Sequence, residues 1–195
     1  MSKGEETRQF IIEKAAPLFN VKGIEATAMS DIMKATKLSK GSLYVHFKNK
    51  EELVENVFLH NMKVLGKKVM NAVQKPSSAK EKLFAYIDVL TDIENPPVAG
   101  GCPMMNFGIE ADDTNPMIKS KVKKEIAHSL ELISNIIVQG KKSGEFKPDW
   151  NHDEFATLMF AMIEGGVIIS RITGDNTKID LISNKLKKMI VEQNK

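Results

Sequence analysis

Residues 27–53 read TAMSDIMKATKLSKGSLYVHFKNKEEL, and three helix starts fall inside that stretch. Thr27, Ser39 and Asn49 are all residues whose side-chain oxygen can accept from the unpaired N–H groups of a first helical turn. Thr27 opens a short helix to about Thr36 that buries Ile32 and Met33. Ser39 opens another from Lys40 to His46. Asn49, with Glu52 at the capping-box position, opens a long one from Lys50 to about Val73. Only two or three residues separate the first two of these helices, the length of a helix-turn-helix turn.

Outward from this core the spacing stays helical. Upstream, a helix from about Glu5 to Val21 carries one apolar stripe, Ile11, Ile12, Ala15, Leu18 and Phe19. Pro17 removes a backbone donor and predicts a kink, and Gly23 ends the helix in a left-handed conformation. Downstream, Lys75-Pro76-Ser77-Ser78 breaks the long helix. Further helices are expected from Ala79 to Glu94, from Pro103 (with Cys102 as N-cap) to the Asp112–Pro116 stop, from Met117 to Lys142, from Asp153 to Thr173 and from Thr177 to Gln193. No segment alternates as a strand would, so the chain is read as all-α.

The 195 residues carry 42% hydrophobic side chains and one cysteine, which suits an ordinary globular chain and excludes a disulfide scaffold. The charged start, Met-Ser-Lys-Gly-Glu-Glu, is unlike a secretory leader. Leu158–Ser170, the least polar stretch, is short of the ~20 residues of a membrane span and contains Glu164. A cytoplasmic protein without a membrane partner is expected. The net charge of +3 is unevenly spread: residues 1–50 hold nine Lys+Arg against five Asp+Glu, and the remainder holds 19 against 20. Lys34, Lys37, Lys40, Lys48 and Lys50 lie in a window with no acid, so this end can meet a polyanion, although a lysine run is also what a solvated face looks like.

The first 65 residues resemble the DNA-binding domain of the tetracycline-repressor (TetR) family of bacterial transcriptional regulators. The resemblance is carried by Ile11-Ile12-x-x-Ala15-x-x-Leu18-Phe19, Gly23-Ile24-x-x-Thr27, Asp31-Ile32 and Ser39-Lys40-Gly41-Ser42-Leu43-Tyr44-x-His46-Phe47-x-x-Lys50-Glu51-x-Leu53. Over the other 130 residues it is architectural only. It implies a helix-turn-helix domain at 1–50, joined through the helix 50–73 to an effector-binding and dimerisation domain at 51–195.

The residues fit that role. Ser39 at an N-cap leaves the N–H groups of Lys40 and Gly41 directed outward, which favours an acceptor on DNA, and Gly41 admits a base or the backbone closely. Lys40 and Ser42 have the reach for groove contacts, and Tyr44 can offer its hydroxyl to a phosphate or its ring to a thymine methyl. His46, Lys50 and Thr27 would touch the flanking phosphates. Each has a plainer reading too: Tyr44 and Phe47 as core aromatics, Thr27 and Ser39 as caps alone. One departure from the family stands out, since Thr36-Lys37 occupies a turn that is usually Ala-Gly. Lys37 should therefore carry about 1 kcal/mol of left-handed strain while adding a charge beside the DNA.

A duplex read by such short helices requires two copies, hence a homodimer on a palindromic operator. Gly165, Gly166 and Ile169 of the penultimate helix and Leu181, Leu186 and Met189 of the last are the candidate dimer interface, an internal core being the alternative. By resemblance, the central helices hold a small-molecule effector that releases the DNA. Phe84, Ile87, Asp88, Thr91, Cys102, Met104, Met105, Phe107, Leu130, Met159 and Ile163 are the candidate lining, although methionines at helical spacing are more often plain core. Cys102, ahead of Pro103 at a helix start, is either a reactive sensor thiol or a buried cap, and Gly101-Cys102-x-x-x-Asn106-x-x-x-Glu110 resembles a pattern in several family members. Glu110-Ala111-Asp112-Asp113 is read as a solvated acidic cluster.

No His-Glu-x-x-His, Gly-x-Ser-x-Gly, Gly-x-x-x-x-Gly-Lys or Cys-x-x-Cys motif occurs, and the four histidines lack metal-ligand spacing, so neither an enzyme, a metal nor a cofactor is expected. The expectation is a DNA-binding repressor. The alternative is a cysteine-based electrophile or redox sensor, or a helical interaction module that does not bind DNA.

Overall fold

The computed structural model describes residues 2–195, which form nine helices and no strand. In order these are α1 (Lys3–Lys22), α2 (Met29–Thr36), α3 (Lys40–His46), α4 (Lys50–Val73), α5 (Ala79–Thr91), α6 (Pro103–Ala111), α7 (Pro116–Lys142), α8 (His152–Thr173) and α9 (Thr177–Val191). They fall into two compact units, Met1–Leu65 with Val98–Val122, and Gly66–Pro97 with Lys123–Lys195. Packing thus divides the chain differently from the expected functional boundary at residue 50, because residues 98–122 fold against the N-terminal helices.

In the first unit α1 packs on α2, α3 and α6. Ile11, Ile12, Ala15, Ala16 and Phe19 bury its stripe, and the helix stays continuous through Pro17. Arg8 donates to Asn56 at 3.0 Å and to Glu52 at 3.1 Å while its guanidinium lies 4.6 Å from the centre of the buried Phe47 ring. Asn49 caps α4 by accepting from the Glu52 N–H at 2.9 Å. Glu52 turns to the Lys48 N–H instead of completing a box with Asn49, and this bond, helped by Arg8, holds its carboxyl below the ordinary range.

The end of α1 shows how residues 98–122 are fastened. Gly23 has φ 93, and a side chain there would collide with the Glu110 carboxylate, so this place requires glycine for conformation and for space. Glu110 accepts from the N–H groups of Ile24 at 2.9 Å and Glu25 at 3.1 Å, and so is a bridge between segments and not the solvated acid expected from sequence. One turn earlier on α6, Asn106 donates to the carbonyls of Asn20 and Gly100, at 2.9 and 3.0 Å. The buried Asn20 returns donors to the carbonyls of Ala99 at 2.7 Å and Gly101 at 3.0 Å.

The second unit packs α5, α8 and α9 together. Here too a distant glutamate takes a pair of backbone amides, this time capping a helix: Glu145 accepts from the N–H groups of Ala79 and Lys80, both at 2.8 Å, while Ser78 takes that of Glu81. Phe146, Trp150 and Phe155 stack edge-on at 4.8 Å, and Phe146 closes over Gly140, where a side chain would clash with it. Two helices end sooner than the sequence pattern suggested. Asp92 leaves helical geometry and accepts from the Asn95 N–H, stopping α5 at Thr91; residues 193 and 195 pair with Lys147 and Glu145, stopping α9 at Val191. By length and composition α8 is apolar enough to cross a membrane, but it carries Glu164 and Arg171 and packs on α5 and α9 as a core helix.

Two stability predictions follow from this packing. Asn106→Ala leaves three part-buried acceptors without their donor and should lower stability by about 1–3 kcal/mol in urea unfolding. Lys37→Gly should raise the melting temperature by ~2–4 °C, the left-handed residue costing about 1 kcal/mol less.

Candidate nucleic-acid interface

The three residues after α2 make the turn expected from the sequence. Lys37 sits at φ 58, ψ 22, left-handed as that turn demands and the one non-glycine with positive φ among the described residues. Thr36 compensates: buried, it donates to the Ile32 carbonyl at 2.7 Å and accepts from the Leu38 N–H at 3.3 Å, so the turn's own amide is satisfied. Ser39 then caps α3, accepting from the Ser42 N–H at 3.2 Å.

Leu43 points wholly inward from α3, and Phe47 just beyond it is buried as well. The opposite side of α3 presents Lys40, Gly41, Tyr44 and Val45, all exposed, with Lys37 exposed just before them. At 100° per residue these four α3 positions cover an arc of about 140°. The Lys40 ammonium stands 5.9 Å from the centre of the Tyr44 ring, and Tyr44 is 42% exposed, which settles it as a surface residue and not a core aromatic. Ser42, His46 and Lys50 are half-buried at the edges. There is no acid in α3 itself, while Glu25, Glu51 and Glu110 share the groove that Lys50 lines.

Thr27 is a correction. It does not cap α2, which begins after Ala28, and its side chain is fully buried with the hydroxyl donating to the Gly23 carbonyl at 2.7 Å. The α2 start is served by Asp31, which accepts from the Ala28 N–H at 3.2 Å. That bond, aided by Lys22 at 3.4 Å, lowers the Asp31 carboxyl pKa. Thr27 lies near the helix start, where a cap is expected, but in the fold it locks the end of α1 to that start.

The candidate effector residues scatter. In the second unit, Ile87, Met159 and Ile163 are buried and Leu130 and Thr91 half-buried, the Thr91 hydroxyl being committed to the Ile87 carbonyl. Asp88 is exposed and paired with Lys187, whose ammonium also lies over Phe84, so this pair faces α9 and solvent and not an interior. In the first unit, Met104 and Phe107 are core, the Phe107 ring 5.4 Å from that of Phe58, while Met105 and Cys102 are half-buried, Cys102 at the N-cap of α6. A groove of about 360 Å³ lies beside Lys50, walled by Ile24, Glu25, Glu51, Val54, Glu110, Thr114 and Asn115, none of them among the expected effector contacts.

The candidate interface glycines separate as well. A side chain on Gly166 would strike Ile179 and Ile182 of α9 in the same chain, whereas Gly165 opens onto empty space. Leu186 is completely buried and so belongs to the internal core, a correction to its place among the interface residues; Met189 is half-buried. Ile169 and Leu181 remain exposed, together with Leu158 and Ile172, which the sequence reading passed over although they fall on the same stripe of α8 as Gly165 and Ile169.

Comparison with known proteins agrees with this geometry. Residues 11–57 match the family model described as bacterial regulatory proteins, tetR family, and residues 79–186 match the tetracyclin repressor-like C-terminal domain. A TetR transcriptional regulator from Chloroflexus aurantiacus is 36% identical with a TM-score of 0.95, and one from Cytophaga hutchinsonii is 35% identical with a TM-score of 0.94; in both, the match covers 100% of this chain and 98% of the other. Among curated proteins, the HTH-type transcriptional repressor DhaR of Mycobacterium sp. (strain GP1) is 23% identical over 177 residues, 89% of this chain and 86% of DhaR. Helix-turn-helix, flanking helices and both family domains thus coincide along one chain, which belongs to the TetR family of DNA-binding transcriptional regulators.

Proposed function

We propose that the protein is a repressor that binds a palindromic operator as a homodimer and releases it on binding a small-molecule effector. The observation that carries the DNA half of this reading is the exposed, acid-free face of α3, where Lys40, Gly41 and Tyr44 stand clear of the core and Lys37 adds a charge from the turn. In use, Lys37, His46 and Lys50 meet phosphates, which fix position, while Lys40, Gly41, Ser42 and Tyr44 enter the major groove. Ser39 and Thr27 hold the helices that present them.

The dimer half rests on α8. Leu158, Ile169 and Ile172 are exposed along one stripe that includes the half-buried Gly165, Leu181 of α9 is exposed as well, and the open space at Gly165 allows a second copy's helix to come close. A two-fold dimer would set two copies of α3 about 34–36 Å apart, one turn of the duplex. Effector binding is assigned to the second unit, among Ile87, Thr91, Leu130, Met159 and Ile163. Repression is favoured because a curated relative, DhaR, is named a repressor. Residues 1–50 accordingly read DNA and 51–195 supply dimerisation and effector response, in the cytoplasm where the operator is.

Selection from a random duplex library should return a palindrome. Tyr44→Ala should bind that duplex ~10-fold or more weakly by fluorescence anisotropy, with the dimer intact in light scattering; an unfolded Tyr44→Ala would mean that the ring is structural. Ile169→Glu should give a helical monomer that has lost operator affinity. A dimer unaffected by Ile169→Glu would place the interface elsewhere.

A further inference from the structure

Two neighbouring residues on α3 have no use to the chain by itself. Gly41 adopts ordinary helical geometry, and a methyl group built on it would meet nothing nearer than the Ser39 hydroxyl at 3.9 Å, so alanine would fit and would favour the helix. Val45, one turn further along the same face, is 81% exposed, and its branched β-carbon makes it a poor helix former. Neither packing nor helix propensity accounts for either. Together they make a shallow apolar step: a floor without a side chain at Gly41 and a wall of two methyl groups at Val45, beside Tyr44.

We propose that Gly41 and Val45 form a slot for the C5-methyl group of a thymine, making Val45 a specificity-determining residue of the α3 surface. This rests on the DNA-binding reading above and extends it. No residue of α3 is acidic, Lys40 precedes Gly41 directly and Lys37 stands in the turn before the helix, so a polyanion is the occupant to which the charge is complementary. In a major groove lined by hydrogen-bonding edges, the thymine methyl is the apolar feature that a valine can recognise. The missing side chain at Gly41 lets the base edge come close enough for the methyl to leave water. A two-fold dimer would present the slot twice, so the preference should fall on one symmetric pair of thymines.

The test uses the full-length protein and the duplex it selects from a random library, resynthesised with deoxyuridine replacing one symmetric thymine pair at a time. Uracil keeps every hydrogen-bonding group and lacks only the methyl. At one pair the wild type should lose about 4-fold per half-site, or ~15-fold in all. Val45→Ala, an exposed substitution, should bind the thymine and uracil duplexes within about twofold of each other, as follows from removing the wall that senses the methyl. Unchanged wild-type affinity for every uracil duplex, or a Val45→Ala protein as uracil-sensitive as the wild type, would overturn the slot and leave DNA binding standing. Failure to select any duplex would overturn the DNA-binding reading and the slot with it.

Discussion

A helix of seven residues is too short to hold itself together in water, so α3 exists because of what its inward side is packed upon. That side consists of Leu43, with Phe47 at the C-cap, both removed from solvent, and the Arg8 guanidinium lies over the Phe47 ring. The left-handed Lys37 and the Ser39 cap set its direction and satisfy its first amides. Much of the first unit is a mount for these roughly two turns of helix. Leu43 and Phe47 supply the burial, so the outward positions carry no structural duty, and this is why a glycine, a tyrosine and a valine can stand there side by side.

The helices were readable from sequence wherever their determinants are local. Ser39 and Ser78 cap helices three residues ahead of the amides they satisfy, Gly23 terminates one, and Leu43 and Ile32 carry the burial of α3 and α2. What could not be read depends on partners far along the chain. Glu110 lies 85 and 86 residues from the amides it bridges and Glu145 lies 65 and 66 from those it caps, and no periodicity announces either. Adjacent Gly165 and Gly166 look interchangeable in sequence, yet the helix turns one outward and the other against Ile179 and Ile182. Asp88 shares a helical face with Ile87, but Lys187 draws it to the surface. On α3, Lys40, Gly41 and Tyr44 of the motif stand exposed with Val45, to which that motif assigns no role, whereas Thr27 is buried with its hydroxyl held at the end of α1.

These details converge on a division of labour. Basic charge gathers in the first 50 residues, where it can meet DNA, while α8 leaves Leu158, Ile169 and Ile172 exposed along one stripe. Residues 98–122 are fastened to the end of α1 through Asn20, Asn106 and Glu110, so that α6 is held to the same helix on which α2 and α3 are mounted.

The central claim is that α3 presents a sequence-reading surface to duplex DNA. Its most direct measurement is the salt dependence of binding to the selected palindrome beside a scrambled duplex of equal length. The account predicts an affinity for the palindrome at least ~10³-fold above that for the scrambled duplex, falling linearly in a log–log plot against salt as phosphate contacts release counterions. Equal affinity for the two duplexes, or no binding at low salt, would contradict it.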